Sequence, residues 1–576
     1  MARHDPNHRF PEGYHWLAFA LLAAVGLAAS AGPAVADPPP LAYERVIDGY
    51  YLASGRGLAA DDAGHVYLIA RTIGDQDQNN LLVVGLDPQG DPMWEYYFNG
   101  SDHDYASGIA LDAGGDVWIT GWTDSPEFPT TADAYQPTRA GFREAFVMKL
   151  AADDGSLLYS TYLGGEYTDQ GGDIAIGPGG NIYLTGTTAS MEFPTVAPYQ
   201  DHLNGNSYAF TDAFIAILSA DGSELLYSSY FGGSEDDWAY GVELGENGEI
   251  HIAGTTESVD LPVADPVQPA FAGVSDLFLC SLTPDGSALA FGTYVGGEDV
   301  DRFGGLAADA AGALYLGGIT RSIGYPTTSG VFQEEFVGEI DGCEIPFGGT
   351  YNCEDMCLSK FASGNMVYST FVGGTSPDEC RDVAVTSTGE AYLVGYTSSD
   401  DFPPAGIDTA SEIALVKLAA DGSDLLYTLT VDSGSSNAGH GVATNAAGDV
   451  FFTGAIHVPA DVYVAKIEDD FVAGAPDSAP DGVAERRASG LRLQASSPNP
   501  FTSSTELTFH LPSSTSSPAT VAVLDITGRR VRTLVSSARA AGPHTVSWNG
   551  TDTRGQDVPA GVYYYRLSWN GQTRSL

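Results

Sequence analysis

The sequence predicts an all-β chain: a seven-bladed β-propeller followed by a small immunoglobulin-like β-sandwich. Three observations carry that expectation. One strand-rich unit returns seven times, each complete copy has room for four short strands around a tight turn, and residues 491–576 follow a different strand pattern. Seventy glycines, 11% aromatic residues and no helical apolar period agree with short strands and many turns.

The recurring element is a small turn, an apolar strand, and then Gly and Thr. It reads DDAGHVYLIART from Asp61, DAGGDVWITGWT from Asp112, GPGGNIYLTGTT from Gly177 and GENGEIHIAGTT from Gly245. It continues as DAAGALYLGGIT from Asp309, TSTGEAYLVGYT from Thr386 and NAAGDVFFTGAI from Asn445. An aromatic- or Leu-Pro step follows in five copies, as at Phe128-Pro129 and Leu261-Pro262. Next come an acid-led strand, as at Glu144, Asp212 and Asp461, and an Asp-Gly hairpin turn, as at Asp154-Gly155 and Asp221-Gly222. Asp-Gly suits a two-residue hairpin, which often needs positive φ at both central positions. A fourth strand ends in Gly-Gly, as at Gly165, Gly233, Gly297 and Gly374. Four antiparallel strands per unit make a propeller blade. A solenoid of β-coils would use shorter units without a hairpin in each.

The ends of the repeat region predict how the ring closes. The seventh unit has a third strand, Val462 to Ile467, but no fourth, and an acidic, Ala/Pro-rich linker follows. Tyr43 to Ile47 stands before unit one, where a last strand stands in every other unit. It is expected to complete blade seven and remove two open sheet edges. The expected domains are a signal segment 1–36, the propeller 37–467, a linker 468–490 and the terminal module 491–576.

These residues resemble the bacterial SBBP (seven-bladed β-propeller) repeat proteins. The shared pattern is the VYLTGTT-like strand, the Phe-Pro step, a later Gln (Gln136, Gln200, Gln268, Gln333), the acid-led strand and Tyr-Ser-Thr-Tyr-Leu-Gly-Gly. Unit one lacks the Phe-Pro step, and unit seven lacks both that step and the Gly-Gly. The resemblance implies a cell-surface or extracellular location and no defined activity. In the terminal module, SSPNPF at Ser496, LDITGRRVRTL at Leu524 and WNGTDTRGQDVPAGVYYYRL at Trp548 resemble the FlgD-like immunoglobulin module of flagellar hook caps. They resemble equally the type IX secretion sorting domain (T9SS type A), which usually ends in a further strand with a basic tail. That resemblance implies sorting through secretion machinery, or attachment.

Charge narrows the partners. With 24 basic and 75 acidic residues the net charge is −51, which repels phosphate backbones and argues against nucleic acid. From residue 488 onward eight Arg face four acids, so the acid surplus belongs to the propeller region. Arg3 and Arg9, the apolar run Trp16 to Ala29, and Ala34-Val35-Ala36 before Asp37 form an export signal. The run is short for a membrane span, and no other segment qualifies, so the mature chain is expected to be secreted or held at a bacterial cell surface. Export permits disulfides. Cys343, Cys353, Cys357 and Cys380 are the disulfide candidates, with pairing open, and Cys280 is expected to be a buried free thiol.

Candidate chemistry is sparse. Asp104, Asp169, Asp237, Asp301 and Asp378 each stand four residues after the close of a fourth strand. They form either a collar of carboxylates for Ca²⁺ or a polyhydroxylated ligand, or a set of local turn caps. Asp75-x-Asp77-x-Asn79 begins like a calcium loop, but Asn80 replaces the Gly and Leu86 the bidentate Glu. The four lysines, Lys149, Lys360, Lys417 and Lys466, share one strand position and are expected to lie between blades beside an acid. His103 and His440 fall in one loop class of different blades. No nucleophile elbow or zinc motif is present, so no catalytic or cofactor-binding residue is assigned. The leading expectation is an exported, non-enzymatic protein presenting a rim or funnel to a protein or glycan. Its rivals are a secreted glycan lyase or hydrolase with an acidic funnel site, and a calcium-stabilised adhesion module. Acids from different blades meeting beside a His, Tyr or Arg would favour the enzyme.

Overall fold

The computed structural model describes residues 38–468 except 48–53, 74–77, 206–209, 341, 345–349, 404–411, 432–436 and 457–460. Beyond these it describes the strands of the terminal module and a few adjoining residues. Signal segment 1–36, the Asp75–Asp77 loop and nearly all of the linker lie outside the described residues. The chain divides into two compact units, 1–471 and 472–576.

In the first unit, seven four-stranded antiparallel sheets follow one another. Blade two is representative: Asp104–Leu111, Val117–Thr123, Glu144–Leu150 and Leu157–Leu163 pair in sequence order. Blade seven is built differently. Its first three strands are Ala438–Thr444, Asp449–Ile456 and Asp461–Glu468, and its fourth is Leu41–Ile47, which pairs antiparallel with Asp461–Glu468. The first strand of each blade packs on the first strands of both neighbours, and blade seven on blade one, so the seven strands enclose a central channel.

Each blade is apolar on both faces and buries them against its neighbours. The Ala213, Ile215, Phe231, Phe278 and Tyr294 cluster fills the junction of blades three and four. Ile47, Leu58, Val66, Phe451 and Val462 fill the closing junction of blades seven and one. Tyr159 Oη donates to the Gly222 carbonyl at 2.5 Å, and Tyr227 Oη to that of Gly286 at 2.9 Å, tying an outer strand to the next blade's Asp-Gly turn. Gly222 is required twice over: its φ is +77°, and a Cβ there would stand 2.4 Å from the Tyr159 ring. The lysines lie as expected, with Lys149 Nζ 2.9 Å from both Asp112 and Asp116 and Lys466 Nζ 2.8 Å from Asp449.

The cysteine expectation needs correction. Cys343 and Cys353 form a disulfide beside the small hairpin of Cys343–Glu344 and Thr350–Tyr351, inserted in blade five. Cys357 and Cys380 are free and buried, like Cys280. Cys357 packs against Gly318 and Cys380 against Gly317, adjacent residues whose side-chain directions point to opposite faces of a strand. Blade five's sheet therefore separates the two sulfurs.

The second unit is a two-sheet sandwich. One sheet orders Arg492–Leu493, Thr505–Leu511 and Gly542–Trp548; the other orders Arg530–Ser537, Ala519–Asp525, Tyr563–Trp569 and Gln572–Ser575. Leu507, Phe509, Val521, Val523, Trp548 and Leu567 form its core. The sequence placed no strand after Trp569, yet Gln572–Ser575 pairs back on Tyr563–Trp569.

Candidate functional site

The five repeated aspartates are sealed inside the blade junctions. Asp169 is representative: Thr188 Oγ1 donates to it at 2.5 Å, Ser190 Oγ at 2.9 Å and the Gly165 N–H at 2.7 Å. Asp237 takes Gly233 N–H at 2.6 Å, Asp301 takes Gly297 N–H at 2.7 Å and Asp378 takes Gly374 N–H at 2.7 Å. Asp104 accepts from Thr123 at 2.5 Å and Ser125 at 2.9 Å. All five are inaccessible to solvent, and burial pushes each carboxyl up to about 7. They cap turns and lock junctions, and form no collar. No group of metal-ligating side chains large enough to hold an ion occurs among the described residues.

The repeated Gln is the second half of the lock. Gln200 Nε2 donates to Asp212 at 2.7 Å while its Oε1 accepts the Gly232 N–H at 3.1 Å; Gln136 does the same for Glu144 and Gly164. Asp212 and Asp237 then flank Gly232, where a Cβ would stand 2.6 Å from the Asp212 carboxyl carbon. The Gly-Gly ending of the fourth strand is thus fixed by two carboxylates and an amide.

The channel is where the blades differ. In all seven first strands a β-bulge interrupts the pairing at one position. The residues skipped are Arg56, Ser107, Gly172, Tyr240, Gly304, Arg381 and His440, in blade order. The bulge explains the Gly of the repeated Gly-Thr strand, because a Cβ at Gly121 or Gly254 would stand 1.9 or 1.8 Å from the Tyr105 or Trp238 carbonyl oxygen. His440 therefore lies on a strand, Ala438–Thr444, not in a loop. His103 lies in the loop before blade two, its Nδ1 accepting the Asn79 N–H at 2.9 Å.

Around the bulge level two kinds of group gather. Toward the start of the strands, the Arg56 guanidinium lies 5.3 Å from the Tyr105 ring centre. Tyr105 stacks on Trp122 at 5.6 Å and 10°, and Arg143 lies 3.6 Å from the Trp122 ring while bonding both Asp124 oxygens. Arg381 pairs with Glu379 at 2.5 Å. Burial, with Arg56, Arg381 and Arg71 nearby, holds His440 well below the usual imidazole range and therefore neutral. On the other side of the bulge stand Asp173, Asp382 and Glu243. Asp173 accepts the N–H of Ile174 at 2.8 Å and of Val242 in blade four at 3.0 Å; Asp382 accepts those of Val383 at 2.8 Å and Val442 in blade seven at 2.9 Å. These two clip neighbouring blades together. Glu243 stands where the other blades carry Ala59, Ala110, Ala175, Ala307, Ala384 and Ala443. Burial first, then Asp173 and Asp382, push it up to about 8. These acids retain partial water contact through the channel although protein surrounds them.

Of these channel residues the sequence reading singled out only His440, and placed it in a loop. Seven blades around a variable channel, five of them opening on the same aspartate lock, define a β-propeller repeat protein. Residues 158–194 match the SBBP β-propeller repeat family, and residues 496–572 match the FlgD Ig-like domain. Regulatory protein FlaEY of Caulobacter vibrioides is 22% identical over 261 residues, 44% of this chain. The chain spans 26% of that relative's length. Among solved structures, a gluconolactonase from Xanthomonas campestris is 14% identical with a TM-score of 0.30, covering 76% of this chain and 98% of its own. A glucose dehydrogenase is 14% identical with a TM-score of 0.34, covering 64% and 97%. These two likenesses carry no chemistry over to this chain.

Proposed function

We propose that this is an exported, non-enzymatic surface protein that binds a glycan or protein at the channel mouth, with the terminal module sorting or attaching it. The observation that carries the reading is the division of labour among side chains. The repeated carboxylates are bonded within the junctions, whereas the variable Arg56, Tyr240, Arg381 and His440 sit at the bulge of the channel-lining strands, with Tyr105 beside Arg56. Residues repeated from blade to blade do local work; the differing ones are free to specify a ligand. The enzyme alternative, a glycan lyase or hydrolase, is favoured by the gathering of Glu243, Asp173 and Asp382 from three blades. It is disfavoured because Asp173 and Asp382 are spent on backbone N–H groups and His440 has arginines about it. Export rests on the charged, apolar and Ala-x-Ala sequence before Asp37. The protein probed on glycan and protein arrays tests the reading. A ligand captured by the wild type and lost in Trp122→Ala supports it, and no ligand, or one retained by that variant, overturns it.

A further inference from the structure

We propose that Arg56, Arg71 and Arg381, gathered around His440 where blades six, seven and one meet, bind the carboxylate of an acidic sugar. This deepens the reading of the channel mouth as the binding face and rests on it.

Arg56 and Arg381 occupy the bulge positions of blades one and six, on either side of His440 at the bulge of blade seven. Arg71 stands opposite Ser54 on the strand next to Arg56, in a chain whose net charge is −51. Three other propeller arginines are neutralised: Arg45 by Asp91, Arg143 by Asp124 and Arg321 by Glu354. Arg381 has Glu379, but Arg56 and Arg71 have no acidic partner among the described residues, and the Nε of each is buried without a hydrogen-bond acceptor. A guanidinium without an acid beside it leaves its charge for an anion to balance. The fork of a guanidinium matches a carboxylate through two parallel N–H bonds, so Arg is the residue suited to this task.

The opposite wall sets the rest of the ligand. Gly172 and Gly304 at the same bulge level carry no side chain, and Tyr240 packs on Phe303 at 6.2 Å. An aromatic wall facing a cationic one suits a compact molecule with an apolar ring face and one anionic group, as a uronic acid has. A polyanion would meet the repulsion of the whole acidic surface, which a single carboxylate inside the channel largely escapes.

Calorimetric titration of the full chain at low ionic strength, with galacturonate, galactose and inorganic sulfate as probes, tests the proposal. We expect galacturonate to bind, galactose not to bind and sulfate to bind more weakly. Arg56→Gln and Arg381→Gln should each weaken galacturonate by about tenfold or more. Arg381, with a side chain 37% exposed, provides a variant that stays folded, checked by its melting temperature. No galacturonate binding, binding unchanged in both variants, or sulfate binding as tightly as galacturonate overturns the proposal. An array ligand lost in Trp122→Ala but kept by both Arg variants overturns it while leaving the mouth reading intact. The absence of any array ligand defeats the mouth reading instead.

Discussion

Tyr43 lies opposite Lys466 across the seam where the two ends of the propeller chain meet. Everything between them is held in the ring by that one pairing and the apolar junction behind it, where Ile47 is 1% exposed against Leu58 and Val462. Ile47→Ala should therefore cost about 2–5 kcal/mol, the usual range for a buried Ile cut to Ala. Urea unfolding checks it. A midpoint unchanged from wild type would show that the seam contributes little.

The junction locks make a second prediction. Asp237→Ala leaves the Gly233 N–H and the Ser258 hydroxyl without their shared acceptor inside a sealed junction. The expected loss is about 1–3 kcal/mol. Gln200→Ala should act on the same unit, so the double variant should lose less than the sum of the two. Full additivity in thermal or urea unfolding would contradict the shared lock.

Stability should rise as the solution is acidified from about pH 8 to about pH 5. Burial raises Asp169, Asp237, Asp301 and Asp378 from 3.8 to about 7, so the folded state holds protons that the unfolded chain releases. Their stabilising contribution is complete below the unfolded value and is lost as pH climbs through about 7. Asp221 and Asp285, held at about 2 by the hydroxyls of Ser219 and Thr283, oppose this in stronger acid. His440 and His251, lowered by burial, oppose it below about 6.5 but are outnumbered by the aspartates. Melting temperatures across this window provide the check, and a rise toward alkaline pH would contradict it.

A chelator should leave the melting temperature unchanged. The aspartates that sequence spacing offered for Ca²⁺ accept hydrogen bonds from Gly, Thr and Ser of their own junctions. A downward shift on adding chelator would contradict this assignment.

How much of this was legible in the sequence follows from what repeats. Gly121, Gln136, Gly165 and Asp169 return blade after blade because identical junctions need identical parts, and periodic residues can be read without a structure. The terminal strand of the second unit escaped notice because Gln572–Ser575 has only four polar residues with no apolar alternation. The channel was not read as a set for the opposite reason: Arg56, Ser107, Tyr240, Arg381 and His440 share a position but vary in residue type, and His440 alone was noticed. Aligning the first strands, DYASGIAL at Asp104 with DWAYGVEL at Asp237 and DECRDVAV at Asp378, isolates that variable fourth position, and Glu243 as the exception to Ala. Cys357 and Cys380 misled because closeness in sequence does not say on which face of a sheet a thiol falls.

The central claim is that the repeated carboxylates hold the blades while the variable channel mouth does the binding. Affinity for the array-identified ligand, measured side by side on folded Asp301→Asn and Tyr105→Ala, addresses it most directly. The lock variant should keep wild-type affinity and the mouth variant should lose about tenfold or more. Loss in Asp301→Asn with full binding by Tyr105→Ala would contradict it.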